Sequence, residues 1–355
     1  MKRIDKLRDM FDDLGIDAML ITNDQNRRYM TGFTGTAGLV LVTKEEAFLV
    51  VDFRYVDQAN EQAKEFSIIE VSTKAELLGE IVRQTDRLEV AKLGFEQNHV
   101  NYYPYTEYNE RISAEMIPLS NTIESLRMIK DREEIATIKT AAEIADAAFT
   151  KLLDFIRPGV TEIEVSNELE FYMRKQGATS SAFDIIVASG IRSAFPHGVA
   201  SNKKIEKGEM VTLDFGAYYQ GYRSDITRTV AVGEPNNDLK GIYSIVLEAL
   251  SKALSGIKSG ILGKEADAFS RDYITEKGYG KQYGHGSGHG IGLDIHEEPF
   301  KNVNCEIRLQ SGMVLTVEPG IYIPKLGGVR IEDDILITQD GNEVLTHSPK
   351  ELIIL

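Results

Sequence analysis

Apolar residues in the first third of the chain fall into short blocks between turn-forming segments. The blocks at 18–22, 38–42 and 47–51 are rich in aliphatic residues, which is typical of buried β-strands. The segment 31–35, Thr-Gly-Phe-Thr-Gly, is a turn-rich stretch between them. Near the start, Ile4, Leu7 and other apolar residues are spaced as on one helix face. Residues 1–122 are therefore predicted to form an α/β domain.

A different pattern begins at residue 131, where apolar residues recur with a period of about 3.6. This period predicts a long amphipathic helix, whose buried face would carry Ile135, Ile138, Ala142, Ala145, Phe149, Leu152 and Ile156. Pro158 and Gly159 are expected to end it. Thr161, followed three residues later by Glu164, predicts a capping box that opens a second helix. We assign 123–130 to a connector and 131–355 to a second domain.

The second domain repeats itself. The stretch IRPGVTEIEV from Ile156 matches IKSGILGKEA from Ile257, and KGEMVTLDFGAY from Lys207 matches SGMVLTVEPGIY from Ser311. The second match pairs Asp214 with Glu318. Each half then consists of two helices, a strand and a β-hairpin, so the prediction is an α+β domain with a pseudo-twofold internal repeat.

Both predicted hairpins carry two acids. Asp214 alternates with the apolar residues of the first strand, and Asp225 follows on the returning strand. Glu318 and Glu332 stand at the corresponding places of the second hairpin. Carboxylates on adjacent strands repel each other unless a cation lies between them or one is protonated. The four acids therefore predict a cage for divalent metal ions.

A fifth ligand is expected from a glycine-rich segment. Glycines recur at every second position from 284 to 292, which in an extended strand leaves His285 and His289 on the opposite face. The glycine face would let another backbone approach closely. The two histidines would lie about 13 Å apart, too far to share one ion, and spacing does not decide which is the ligand. The competing reading, a phosphate-binding loop, lacks the Lys-Ser/Thr that follows such loops.

Charge and ligand type suggest which ions the cage would hold. Four carboxylates balance two divalent cations and leave room for a bridging hydroxide, as in two-metal hydrolases. Ligands that are mostly oxygen with one imidazole favour Mn²⁺, and Co²⁺ or Fe²⁺ less strongly. His197 and His296 precede Asp214 and Glu318 at related points of the two repeats, so both are expected to flank the site.

Composition limits the remaining possibilities. The chain is 42% hydrophobic and 27% charged, as in soluble globular proteins, and no apolar run reaches the roughly 20 residues of a membrane span. A net charge of −15 argues against nucleic acid and anionic membrane as partners. The N-terminal residues lack the pattern of a signal peptide, so we expect a cytoplasmic protein. Cys305, the single cysteine, permits no intrachain disulfide, and no His or Asn pattern supports it as a nucleophile.

These residues resemble the pita-bread metallopeptidases, which include methionine aminopeptidase, aminopeptidase P and prolidase. The resemblance spans essentially the whole chain: 1–122 is similar to the creatinase-like N-terminal domain of the proline-specific branch, and 131–355 to the catalytic domain. The resemblance depends chiefly on the order of five residues along the chain: Asp214, Asp225, His289, Glu318 and Glu332. One departure is the absence of the usual proline before Gly-Met in the segment RLQSGM.

The resemblance implies five metal ligands: Asp214, Asp225, His289, Glu318 and Glu332. It places His289 and Glu318 on one ion and Asp214 on the other, with Asp225 and Glu332 bridging. It also implies that Arg330 orients an acid ligand from behind.

The resemblance also implies roles toward the substrate. His197 and His296 match the histidines that hold the scissile carbonyl and the gem-diolate. Glu318 matches the carboxylate that shuttles the proton of the bridging water, and His285 matches a residue of the proline pocket.

The expected function is hydrolysis of small peptides at Xaa-Pro bonds, with dipeptides favoured over the longer substrates of aminopeptidase P. Arg192, Lys301 and Arg308 are candidate anchors for the proline carboxylate. Methionine aminopeptidases usually lack the N-terminal domain, creatinase works without metal, and non-catalytic scaffolds of this fold typically lose the ligands that are retained here. A homodimer is expected from the resemblance alone.

Overall fold

The computed structural model describes residues 2–355 and divides into two compact units, Met1–Arg127 and Met128–Leu355. Within the described residues, no helix is both long and apolar enough to span a membrane.

The first unit is built on one six-stranded sheet. Its strands are β1 (Ala18–Ile21), β2 (Leu39–Thr43), β3 (Ala47–Asp52), β4 (Ser67–Val71), β5 (Lys92–Glu96) and β6 (Glu115–Leu119). They lie in the order β4-β3-β2-β1-β5-β6. The pairs β1–β2 and β2–β3 are antiparallel and the other three are parallel. A mixed sheet of this kind confirms the α/β prediction for this part of the chain.

Within residues 2–127, seven α-helices accompany this sheet. They are α1 (Arg3–Asp9), α2 (Phe11–Leu14), α3 (Asp24–Thr31), α4 (Val56–Gln62), α5 (Leu77–Arg87), α6 (Tyr102–Arg111) and α7 (Thr122–Arg127). The predicted N-terminal amphipathic helix is divided at Met10 into α1 and α2, but its apolar residues Ile4, Leu7 and Phe11 are buried as expected.

Four longer helices belong to the second unit: α8 (Arg132–Leu152), α9 (Glu162–Lys175), α10 (Asn237–Gly256) and α11 (Gly263–Glu276). Asp131 caps α8, and Thr161 and Glu164 form the predicted capping box of α9. Helix α8 ends at Leu152, earlier than its apolar pattern suggests. Ile156 is buried all the same, because the turn after the helix keeps it against the core.

The strands of the second unit form several small sheets. They are β7 (Ser180–Ser181), β8 (Ile186–Ser189), β9 (Glu209–Phe215), β10 (Ala217–Tyr219), β11 (Tyr222–Arg223), β12 (Ile226–Val232), β13 (Gly288–Gly290), β14 (Glu297–Lys301), β15 (Val314–Val317), β16 (Gly320–Ile323), β17 (Gly327–Arg330), β18 (Asp333–Ile337) and β19 (Asn342–Val344). The two sheets that bear the site have the orders β12-β9-β8 and β14-β13-β15-β18-β19.

The two halves of this unit follow the predicted repeat. Helices α8 and α9 precede the antiparallel pair β9–β12, and helices α10 and α11 precede the antiparallel pair β15–β18. The halves meet where the backbone N–H of Glu332 donates to the carbonyl of Thr227 at 3.0 Å. This junction brings the acid-bearing ends of both strand pairs together.

Candidate metal centre

The four acids lie at or near strand ends. Asp214 is the sixth residue of β9, Asp225 directly precedes β12, Glu318 directly follows β15, and Glu332 directly precedes β18. The predicted position of Asp225 within the returning strand is therefore wrong. The cause is local: a Cβ on Gly216 would lie 1.7 Å from the carbonyl oxygen of Ser224, so the backbones approach too closely there for regular pairing, which resumes between β10 and β11.

The predicted long strand through the glycine-rich segment is also wrong, since β13 covers only Gly288–Gly290 and its pairing with β14 contains a register shift. The predicted close approach is confirmed. A Cβ on Gly288 would lie 2.2 Å from the Thr316 carbonyl oxygen, and one on Gly290 would lie 2.3 Å from that of Glu298. Because glycine has no side chain, β14 and β15 can lie close to β13 on either side.

The imidazole of His289 points from β13 toward the acids. Its Nε2 lies 3.7 Å from Asp225 Oδ2 and 3.6 Å from Glu318 Oε1. Its Nδ1 lies 3.0 Å from the Gly290 carbonyl oxygen and therefore carries the proton as a donor. Burial lowers the pKa of His289 to about 4, so the ring is neutral at pH 7. The Nε2 lone pair is thus free to bind a cation.

The acids themselves are poorly compensated by the protein. Burial, followed by the charge of Glu332, raises the pKa of Asp225 well above its usual range. Burial, followed by the charge of Glu318, does the same to the pKa of Glu332. Among the described residues, the buried Oδ1 atoms of Asp214 and Asp225 have no hydrogen-bond partner. Such atoms are costly to bury without a counter-charge.

A divalent cation would remove this cost. One ligand atom each from Asp225, His289 and Glu332 lie within 4.8 Å of one another. Carboxylate oxygens with one imidazole nitrogen are a donor set that suits Mn²⁺, Co²⁺ or Fe²⁺. The residues present therefore fit a bound metal.

Hydrogen bonds hold the acids in place from behind. Arg330 Nη2 donates to Asp214 Oδ2 at 2.5 Å, and Arg330 Nε donates to the Thr227 hydroxyl at 3.1 Å. That hydroxyl in turn donates to Glu332 Oε2 at 2.6 Å. One guanidinium thus contacts one acid directly and a second through a hydroxyl, in keeping with the role that the resemblance implies for Arg330.

Some supporting residues were not predicted. The Thr316 hydroxyl accepts from the backbone N–H of His289 at 3.0 Å and donates to Glu318 Oε1 at 3.2 Å. Asp334 Oδ2 accepts from the backbone N–H of Asp225 at 2.8 Å. Thr316 could have been found from the sequence, because the internal repeat matches it to Thr212. Thr227 and Asp334 have no comparable signal beyond lying close to predicted ligands in the sequence.

The acids open into a cavity of about 800 Å³. Its walls include all five predicted ligands and four further residues to which the resemblance gives a role: His197, His285, His296 and Arg330. The rings of His289 and His296 lie edge to face with centroids 4.5 Å apart. Both His197 and His296 are exposed, so they stand on the solvent side of the buried acids.

Two contacts fix the ring of His285. Its Nδ1 lies 2.7 Å from the Gly286 carbonyl oxygen, and its Nε2 lies 2.9 Å from the Tyr322 hydroxyl. Tyr322 also accepts from Arg330 Nη1 at 2.8 Å. His285 is therefore a rigid part of the wall.

The three candidate carboxylate anchors are already engaged by the protein. Arg192 forms an ion pair with Glu162, and Arg308 donates to the carbonyl of Gly260. Lys301 lines the cavity but is fully buried, and its Nζ donates to the Ser287 carbonyl at 3.0 Å. Arg192 and Arg308 do not line the cavity, so Lys301 is the one candidate of the three that does.

The fold and site define a class of protein: a duplicated domain whose two halves bring candidate metal ligands together at one cavity. Residues 136–339 match Metallopeptidase family M24, and residues 3–129 match the Creatinase/Prolidase N-terminal domain. The chain belongs to metallopeptidase family M24, which confirms the resemblance seen in the sequence.

The similarity to known proteins extends over nearly the whole chain. A curated Xaa-Pro dipeptidase of Pyrococcus horikoshii is 44% identical, with 99% of each sequence covered. A solved Xaa-Pro dipeptidase from Bacillus anthracis is 60% identical, with a TM-score of 0.98 and 99% of each chain covered. A solved X-Pro aminopeptidase from Thermotoga maritima is 38% identical, with a TM-score of 0.91 and 100% of each chain covered.

Proposed function

We propose that this protein hydrolyses Xaa-Pro peptide bonds, with Xaa-Pro dipeptides as its main substrates. Two divalent metal ions would be held by Asp214, Asp225, His289, Glu318 and Glu332. The observation that carries the proposal is the set of buried carboxylate oxygens without hydrogen-bond partners, gathered beside a neutral imidazole at the base of one cavity. The names of the similar dipeptidases support the choice of substrate.

When bound, such ions polarise a carbonyl and lower the pKa of a water molecule. The residues of the chain would prepare the site for this chemistry. Arg330 occupies Oδ2 of Asp214 and leaves its Oδ1 without a partner, so that Asp214, together with Asp225 and Glu332, would help to hold the ions. Glu318 would accept the proton of the attacking water and return it to the proline nitrogen as the C–N bond breaks.

The histidines would place the substrate. His197 and His296 would donate hydrogen bonds to the carbonyl oxygen as negative charge develops on it. An Xaa-Pro bond has no N–H to grip, so a site that holds the carbonyl suits it. His285, fixed between Gly286 and Tyr322, would form a wall for the proline ring.

Rates on three peptides test this proposal. The protein, loaded with Mn²⁺, is assayed with Met-Pro, Met-Ala and Met-Pro-Ala. We expect Met-Pro to give the highest kcat/KM and Met-Ala to be cleaved at least about tenfold more slowly, a difference of ~1.4 kcal/mol in transition-state binding. Failure to cleave either proline peptide would refute the proposed activity.

A second candidate is the release of the first residue from longer Xaa-Pro peptides, as in aminopeptidase P. One observation favours it: Arg192 and Arg308 do not line the cavity, and Lys301 is fully buried with its Nζ bonded to the Ser287 carbonyl, so a free carboxylate would lack an exposed partner among them. A higher kcat/KM for Met-Pro-Ala than for Met-Pro would select this alternative.

We further propose Mn²⁺ as the ion, a homodimer as the assembly and the cytoplasm as the location. The donor set supports Mn²⁺, and the net charge of −15 supports a small peptide over nucleic acid or membrane as partner. Metal analysis of protein purified without chelator tests the ion and also the scaffold alternative, since a non-catalytic scaffold would bind no metal tightly. Light scattering tests the dimer.

A further inference from the structure

The segment 190–200 carries His197 along the mouth of the cavity. It follows β8, and its residues Pro196, His197 and Val199 line the cavity. Phe195, His197 and Val199 are exposed, so little apolar packing holds this part of the segment. Within the described residues, the imidazole of His197 has no hydrogen-bond partner. The backbone of the segment must therefore determine where this ring lies.

One buried carboxylate ties the two ends of the segment together. Glu162, the first residue of α9, has 0% of its surface exposed. Its Oε1 accepts from the backbone N–H and the hydroxyl of Ser189, at 2.8 and 2.9 Å. Its Oε2 accepts from the backbone N–H and the hydroxyl of Ser201, at 3.1 and 2.6 Å.

Arg192 braces the same segment from within. Its Nη1 pairs with Glu162 Oε2, and its Nη2 donates to the Val199 carbonyl at 2.9 Å. The guanidinium thus connects Glu162 to the residues on both sides of His197. Charge-assisted bonds of this kind are shorter and stronger than neutral ones, and a planar donor group fixes direction as well as distance.

We propose that Glu162 is a positioning residue for His197, and that it acts through the two ends of segment 190–200 and through Arg192. The inference rests on the proposed function, in which His197 binds the scissile carbonyl. Glu162 itself is not among the residues that line the cavity. Its effect on catalysis must therefore pass through the segment.

A double-mutant cycle tests this inference. Glu162→Gln removes the charge that pairs with Arg192 and should lower kcat/KM for Met-Pro about tenfold, the loss expected when one charged hydrogen bond is weakened. His197→Ala should lower it at least as much. The double variant should match His197→Ala alone, because positioning has no effect once the ring is gone. If the loss of kcat/KM in the double variant equals the product of the losses in the two single variants, the inference is overturned.

Glu164→Gln is the matched control. It changes a glutamate of the same helix, one that is exposed and serves only the capping box. We expect its kcat/KM to equal that of the unmodified protein. Metal content should be the same in all variants. A loss of bound metal in Glu162→Gln would contradict a role limited to His197.

A second readout does not depend on catalysis. In protein labelled with ¹³C at histidine Cε1, Glu162→Gln and Arg192→Gln should both shift the His197 resonance, assigned by its absence in His197→Ala. The resonance of His347 should stay in place. Arg192→Gln keeps the buried carboxylate and its four serine contacts, so it remains informative if Glu162→Gln folds poorly. An unmoved His197 resonance in Arg192→Gln would overturn the inference, whereas failure of the unmodified protein to cleave Xaa-Pro peptides would refute only the proposed function.

Discussion

The side chain of Arg330 illustrates how single residues prepare the metal centre. It is buried, and its nitrogens contact Asp214, Thr227 and Tyr322. These contacts reach one acid directly, a second acid through a hydroxyl, and His285 through the Tyr322 hydroxyl. A planar five-donor group can make such contacts together, and a lysine cannot.

Arg330→Lys should therefore weaken metal binding while it preserves the charge. We expect metal affinity to fall about 10–100-fold, the usual effect of removing a group that orients a ligand. Isothermal titration with Mn²⁺ measures this change. Arg308→Lys is the control, since Arg308 is exposed and does not line the cavity. Equal affinities for the two variants would refute the role of Arg330.

Among individual residues of the site, the charged ones were the easiest to predict from the sequence. Acids on adjacent strands demand a counter-charge wherever they lie, so the four carboxylates could be singled out without coordinates. The contacts of Thr227 and Asp334 could not, because the partner of a hydroxyl or a carboxylate depends on rotamer and register.

Among the elements, β13 has the greatest effect on the site. It is only three residues long, yet it delivers His289 between acids from both halves of the repeat. Two of its three residues are glycines whose Cβ positions are occupied by neighbouring backbone.

Gly288→Ala should displace β13. Its Cβ would lie 2.2 Å from the Thr316 carbonyl oxygen, and its φ of +144° is unfavourable for a residue with a side chain. We expect a loss of about 1–3 kcal/mol in the free energy of unfolding, measured by denaturant titration, together with weaker metal binding. Gly284→Ala is the control, because no atom lies within 4 Å of its Cβ position and its φ is ordinary. Equal stability of both variants would contradict this view of the strand.

Element boundaries were predictable where the signal is local. The start of α9 follows from Thr161 and Glu164, whose capping box involves only neighbouring residues. The extent of β13 was not predictable, because it depends on pairing with two other strands: β14, where the register shifts, and β15, where Gly290 pairs with Leu315. A period-two pattern of glycines looks the same in a long strand and in a short one that is flanked by bends.

For the whole molecule, the acid cage couples metal binding to protons. The pKa values of Asp225 and Glu332 are raised well above their usual range without metal. At pH values below these raised pKa values the two groups hold protons, which a metal ion must displace. Metal affinity should therefore fall as pH decreases from 7.5 to 5.5, with proton release on binding. Calorimetry in buffers of different ionisation enthalpy measures both, and a pH-independent affinity without proton release would contradict the coupling.

The contribution of Asp225 and Glu332 to folding stability should change with pH in opposite directions in metal-free and metal-loaded protein. In metal-free protein, raised folded-state pKa values mean that the folded chain binds more protons than the unfolded one, so stability from these groups increases as pH falls toward their unfolded values. Bound metal keeps both groups ionised and stabilises by about 2.7 kcal/mol at a hundredfold excess over Kd. The difference in Tm between metal-loaded and metal-free protein should thus grow from pH 5.5 to 7.5. A constant difference would contradict it.

The central claim is that these five side chains hold two divalent ions on which hydrolysis depends. The most direct test is to remove metal by exhaustive chelation and dialysis, then to restore Mn²⁺ stepwise while following bound metal and the cleavage of Met-Pro. We expect no activity without metal and full activity at two ions per chain. Full activity after chelation would contradict the claim. So would activity that reaches its maximum on addition of Mn²⁺ while no metal is bound to the protein.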